Sequence, residues 1–272
     1  MKLAFVFSIA SAAAIVVGAA GFSPAAAQAG GSSVPRTADG HPDLSGVWWP
    51  GRDLQIRPLG DPPPAASGAP APAAAAPRRQ TFASLYQPWA QEKARTLSDK
   101  DDPTLRCVPT AFGTLNVSLY DVGFVGQIIQ TPKFVIMLAE TFHGFRIVPI
   151  DGRPHRDDVA PSLRGDSIGH WDGDVLVVDR TNFSEANWMG AEGVVSFHSN
   201  ALHIVERYRR VDANTIEVDA IVEDPKVLTG PWKVPTQTLK LAPFDQIMEI
   251  ACSGVETAPL MEAASKQNYG KK

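Results

Sequence analysis

Cysteine is nearly absent: the 272 residues hold two, Cys107 and Cys252. Two thiols make at most one bridge, which excludes a disulfide-stapled mini-fold, and no ligand-spaced residues near either one offer a Cys-built zinc site. Long apolar runs are equally scarce. After the first two dozen residues none reaches the 18 or so that a membrane-spanning helix requires, so no membrane insertion is expected of the remaining chain. Positive charge is not in excess either. A formal charge of −4 attracts neither nucleic acid nor an anionic membrane surface. The dinucleotide fingerprint, the phosphate-cradling glycine loop and the haem attachment motif are all missing, so no organic cofactor is expected.

What is present begins with an export pattern. Lys2, the apolar run Leu3 to Gly21 and the small-x-small Ala27-Gln28-Ala29 read as a signal peptide over residues 1–29, with a periplasmic or secreted destination. In such a compartment Cys107 and Cys252 are expected to pair. An N-terminal arm follows (30–60), with one short strand, Leu44 to Trp49, carrying adjacent indoles. Residues 61–79 are almost all Pro, Ala, Gly and Ser, a disordered spacer with nothing to build a core. Residues 80–104 predict a short helix, Gln80 to Leu97, broken or started at Pro88, and then a polar connector.

From residue 105 to 256 the texture is that of strands. Gly126 to Gln130, Lys133 to Glu140, Gly144 to Ile150, Ser167 to Trp171, Asp174 to Arg180, Leu202 to Val211, Thr215 to Glu223, Val234 to Leu241 and Ile247 to Cys252 are extended candidates. Turn dipeptides such as Asp151-Gly152 and Asp172-Gly173 punctuate them, with no amphipathic helices between. The fold class is therefore all-β, an antiparallel meander whose nine or ten strands curl and close into a barrel. Residues 257–272 are a tail. Alternation assigns faces: Ile216, Val218, Ala220 and Val222 point inward, as do Leu202, Ile204, Glu206 and Tyr208, which places a carboxylate inside. Phe134, Ile136 and Leu138 are expected to share the inner face with Glu140.

Five strings carry a likeness to known proteins: R-T-x-D-G-x-P-D-L-S-G-V-W at Arg36 to Trp48, E-x-x-H-x-x-R-I at Glu140 to Ile147, G-D-S-I-G-x-W-x-G-D-x-L-V-V at Gly165 to Val178, H-S-x-x-L-H-x-x-E-R at His198 to Arg207, and E-D-P-x-x-x-T-x-P-W at Glu223 to Trp232. Together they resemble a group of exported bacterial proteins with a lipocalin-like β-meander. The resemblance implies a lipocalin-like barrel and export. It implies no activity.

The chemistry-bearing candidates are Glu140, His143 and Arg146 with Glu206 and Arg207, joined by His198 and His203. A carboxylate in an apolar cavity can act as general acid or base, and a neighbouring Arg can hold an oxyanion. The expected function is cofactor-independent acid–base chemistry (isomerase, lyase or hydrolase) on a largely apolar or aromatic substrate. A non-catalytic periplasmic binding protein for a small hydrophobic ligand is the alternative, since internal Glu–Arg pairs also simply satisfy one another. A third reading has His143, His198 and His203 hold a divalent metal such as zinc. On a strand, however, His203 and Glu206 face opposite ways. Gly165 to Gly169 matches the letters of a nucleophile elbow around Ser167, but a hairpin follows it where a helix is required. Asp166, Trp171, Trp188 and Trp232 are candidate substrate contacts, the indoles as cavity wall or rim.

Overall fold

The computed structural model describes residues 33–51, 80–112, 125–142, 144–191, 195–249 and 252. The expected signal peptide, Ala/Pro spacer and C-terminal tail lie outside these residues. Nine strands form one antiparallel sheet: β1 (Gly46–Trp49), β2 (Gly126–Gln130), β3 (Phe134–Ala139), β4 (Gly144–Pro149), β5 (Asp166–Asp172), β6 (Val175–Thr181), β7 (His203–Asp212), β8 (Thr215–Glu223) and β9 (Trp232–Leu241). Their order is β4-β3-β2-β1-β9-β8-β7-β6-β5. Sequence neighbours are therefore sheet neighbours except for β4 and β5 at the two ends, and β1 pairs with β9 as well as with β2. The edge strands β4 and β5 lie against each other, so the meander curls into a nearly closed barrel. Between them no ladder of hydrogen bonds forms among the described residues, and this seam is the one interruption in the described ring.

The N-terminal strand is thus a stave of the barrel. Trp48 is buried and donates its indole N–H to the Leu44 carbonyl at 2.9 Å, while Trp49 on the other face meets Phe244 edge-on. The expected strand at Ile247 to Cys252 does not form among its described residues. The Met248 N–H instead donates to the Glu140 carboxylate at 2.8 Å.

Alternation sets the inner face where the pattern is clean. On β8, Ile216, Val218, Ala220 and Val222 are buried, and on β7 the buried row is Ile204, Glu206, Tyr208 and Arg210. On β3 the expected face is reversed: Val135, Met137 and Ala139 are buried, whereas Phe134, Ile136 and Leu138 are half-buried. Every residue from Phe134 to Ala139 is apolar, so hydrophobicity does not choose between the two rows. Their neighbours on β4 do, because Arg146 and Val148 occupy the interior opposite Met137 and Val135. Each large apolar side chain buried inside contributes roughly 1.5–3 kcal/mol relative to exposure.

A short helix, α1 (Pro88–Thr96), starts at Pro88, whose fixed φ suits the first helical position. The turn before it supplies the anchors. Phe82 meets Trp232 edge-on at 5.4 Å, and Tyr86 stacks on Phe197 at 4.9 Å. The β5–β6 hairpin turns through Gly173-Asp174, one residue later than expected. Gly173 has φ +59, and its first-central-position glycine is what a type II′ turn selects. Cys107 and Cys252 are bonded, with Cα atoms 5.5 Å apart, and tie the segment ahead of β2 to the chain beyond β9.

Candidate functional site

The barrel interior holds a charged cluster built from three strands. Arg146 on β4 and Arg180 on β6 both reach Glu206 on β7, at 2.7 and 3.0 Å, and all three are at least 95% buried. Tyr208 donates its hydroxyl to the same carboxylate at 3.1 Å and accepts from Arg146 at 2.9 Å. Arg180 also donates to the carbonyls of Ala111 (2.6 Å), Arg164 (2.9 Å) and Phe112 (3.3 Å), stitching two loops to the interior. Burial alone pushes the Glu206 carboxyl up, but the two guanidiniums outweigh it and hold it below the usual carboxylate range. Burial also pulls Arg180 down to about 10, with repulsion from Arg146 opposing the pull of Glu206, and it stays cationic at neutral pH.

The open space lies at the seam. A cleft of about 720 Å³ runs between β4, the β4–β5 connection and the start of β5. Phe134, Phe145, Ile147 and Ile168 form its apolar wall, and Phe145 is 63% exposed. Arg146, Arg153, Arg156, Arg164, Asp166 and Ser167 supply the polar part. Glycine makes the seam possible. At Gly165 φ is +72 and a Cβ would lie 2.5 Å from the Thr181 carbonyl, while at Gly169 a Cβ would lie 2.9 Å from Val148 across the seam. Ser167 stands opposite Arg180 in the β5–β6 ladder and so faces the same interior. The Arg164 guanidinium rests where a side chain on Gly144 would be, and burial, reinforced by Arg180 and Arg146, lowers it to about 10.

On the opposite face of the same strands runs a chain of alternating charge. Asp166 accepts from Arg156 and from His155 Nδ1 (2.9 Å), and the other nitrogen of His155 meets Asp179 at 2.9 Å. Asp179 meets His203 Nε2 at 3.1 Å, and His203 Nδ1 meets Glu223 at 3.2 Å. Carboxylates accept but do not donate, so an imidazole bridging two of them satisfies both contacts only when both its nitrogens carry protons. For His203, burial lowers the proton affinity, but Asp179 and Glu223 outweigh it and raise it above the usual range. His155 and Asp179 carried no signal in the sequence. His155 sits in a polar connection without periodicity, and Asp179 is a polar residue on the outer row of a strand.

The expected site residues therefore separate. Arg146 and Glu206 come together. Glu140 does not join them, because it lies just past β3, buried under the Met248 backbone. Arg207 is on the outer row and pairs with Asp172 at 2.7 Å. His143 lies outside the described residues. His198 is buried between the Asn187 side chain and the Ser199 carbonyl, and burial holds its proton affinity down. It does not converge with His203, and among the described residues no group of three or more His, Cys, Asp or Glu side chains is arranged to hold a metal. Asp166 is a cleft wall residue. Trp171 stacks on His41 at 4.6 Å, away from the cleft wall, and Trp188 and Trp232 are core residues, with no part in the rim expected of them.

No family model matches this chain, and no curated protein matches it.

Proposed function

We propose that this chain is an exported small-molecule-binding protein that takes a largely apolar or aromatic ligand in the β4/β5 seam cleft. The observation that carries the reading is the cleft itself: about 720 Å³, within the range of small-molecule sites, and lined by exposed Phe145 and Ile147 together with polar groups. Exposed apolar side chains lining a concave surface, in place of a convex one, favour a ligand over simple solvent exposure. Export is supported by the leader pattern of residues 1–29 and by the Cys107–Cys252 bond, which persists in an oxidising compartment. The likeness to exported proteins with a lipocalin-like meander points the same way.

Acid–base catalysis draws less support from Glu206 than binding does. Both its oxygens are engaged by guanidiniums and its carboxyl is held low, whereas a general acid or base works best with a proton affinity near the working pH. The catalytic reading has one specific support, the His155–Asp166 pair, because Asp166 also lines the cleft. The test is native mass spectrometry of the full chain purified from its own host, beside a Phe145→Asp variant. The expected result is a co-purifying organic molecule on the wild type that is lost from the variant. A wild type that is empty, and whose melting temperature no member of a panel of aromatic compounds raises, overturns the proposal.

A further inference from the structure

The cleft combines exposed apolar side chains with an excess of arginines among its wall residues. Among its wall residues four are arginines, Arg146, Arg153, Arg156 and Arg164, and one is a carboxylate, Asp166. Three acids of this region are each held by cations. Asp151 pairs with Arg153, Asp166 is shared by His155 and Arg156, and Glu206 is shared by Arg146 and Arg180. Arg164 adds positive charge beside Arg146 and Arg180, and the three repel one another in a low-dielectric setting.

Behind the cleft, two buried donors are unused. The Nε–H of Arg146 and the hydroxyl of Ser167 belong to wall residues that are 95% and 93% buried, and neither atom has a hydrogen-bond partner among the described residues. Buried donors without acceptors are uncommon in folded proteins. Guanidiniums on a cleft wall suit carboxylate, sulfonate and phosphate oxygens, which accept in the plane that the guanidinium fork offers. Positive side chains around a concave, low-dielectric wall also concentrate anions near it.

Building on the binding reading above, we propose that the ligand carries an anionic head, seated among the cleft's arginines near Arg156 and Arg164, with its apolar body along Phe145 and Ile147. A neutral ligand of the same shape gains the apolar contact alone. It also covers the guanidiniums without offering them an acceptor.

A matched pair of fluorescent probes tests this on the full chain. 1-Anilinonaphthalene-8-sulfonate and N-phenyl-1-naphthylamine share one aromatic body and differ in the sulfonate. The sulfonate probe is expected to bind about tenfold or more tighter, the discrimination that a partly buried ion pair supplies. Arg156→Gln and Arg164→Gln are each expected to weaken the sulfonate probe about five- to tenfold while moving the neutral probe less than about twofold. Decanoate is expected to displace the sulfonate probe at concentrations where decanol does not. Arg156 has a side chain 60% exposed, so Arg156→Gln decides the matter even if the buried Arg164 variant fails to fold. Equal affinity for the two probes, or equal weakening of both by Arg156→Gln, overturns the anionic head and leaves the binding reading standing. If neither probe binds, both fall.

Discussion

Replacing Glu206 with Gln keeps the size and shape of the side chain but removes the negative charge that Arg146 and Arg180 share. The two contacts are 2.7 and 3.0 Å long, with all three side chains at most 4% exposed. At an effective dielectric near 20, each pair of charges about 4 Å apart attracts by ~4 kcal/mol, or ~8 kcal/mol for both. Against this stands the desolvation of the carboxylate, several kcal/mol, which the amide does not incur. The remainder, ~3–5 kcal/mol of lost stability, agrees with what leaving a buried charge unpartnered generally costs. Equilibrium denaturant unfolding at pH 7, followed by tryptophan fluorescence, measures it. Arg146→Met alone is expected to cost less, because Arg180 still pairs with Glu206. The double variant still leaves Arg180 without its carboxylate, and it is expected to cost less than the sum of the two because the Arg146–Glu206 contact is lost in each single variant and counted twice in that sum. The pH dependence has a fixed sign. The folded-state carboxyl is held below its ordinary value of 4.5, so its contribution is present above that value and is lost as pH falls through the lower folded value. The gap between wild type and Glu206→Gln must therefore narrow in acid. A loss under ~1 kcal/mol at pH 7, or a gap that is constant down to strong acid, would refute the reasoning.

Three further perturbations follow from the same structure. His203→Gln should destabilise at pH 6 and have little effect at pH 9: the folded-state imidazolium is favoured above 6.5, so its contribution is full below that value and disappears as pH rises through the raised one. Thermal melts at the two pH values measure this, and equal losses at both would contradict it. Reducing the Cys107–Cys252 bond, or replacing both residues with Ser, opens a loop of 145 residues and is expected to cost ~5 kcal/mol in the chain-entropy picture, read from chemical denaturation with and without reductant. Gly165→Ala should lower the melting temperature through ~1–3 kcal/mol of backbone strain at φ +72 plus the contact with the Thr181 carbonyl, whereas an Ala at Gly152, where nothing stands within 4 Å, carries the φ strain alone.

Strand positions and the inner faces of β7 and β8 were legible in the chain because a strand exposes alternate residues to opposite environments. Ile216, Val218, Ala220 and Val222 separate cleanly from Glu217 and Asp219. That local period also put Glu206 inside. It failed on β3, where an unbroken apolar run contains no alternation to read, and at Ile247 to Cys252, where β-forming residues find no ladder partner among those described. The pairing of Glu206 was beyond local pattern altogether. Arg180 lies 26 residues before it and Arg146 lies 60 before it, and only the curling of the sheet brings β4 and β6 to β7 across the interior.

The cleft and the histidine chain are products of closure in the same sense. Phe145 and Ile147 form half of an alternating strand, and nothing in their spacing distinguishes a solvent face from a binding wall. They become a wall because β4 and β5 meet without a ladder and the connection between them folds back over the seam. His155 meets Asp166 and Asp179 through that same connection. By itself, then, the sequence determined the strand period, the antiparallel order and the presence of a charge in the core, since these depend on neighbours one to a few residues away. The tertiary structure decided which charges meet, where the ring stays open and what lines the opening, because these depend on distances through space between residues that the chain holds far apart.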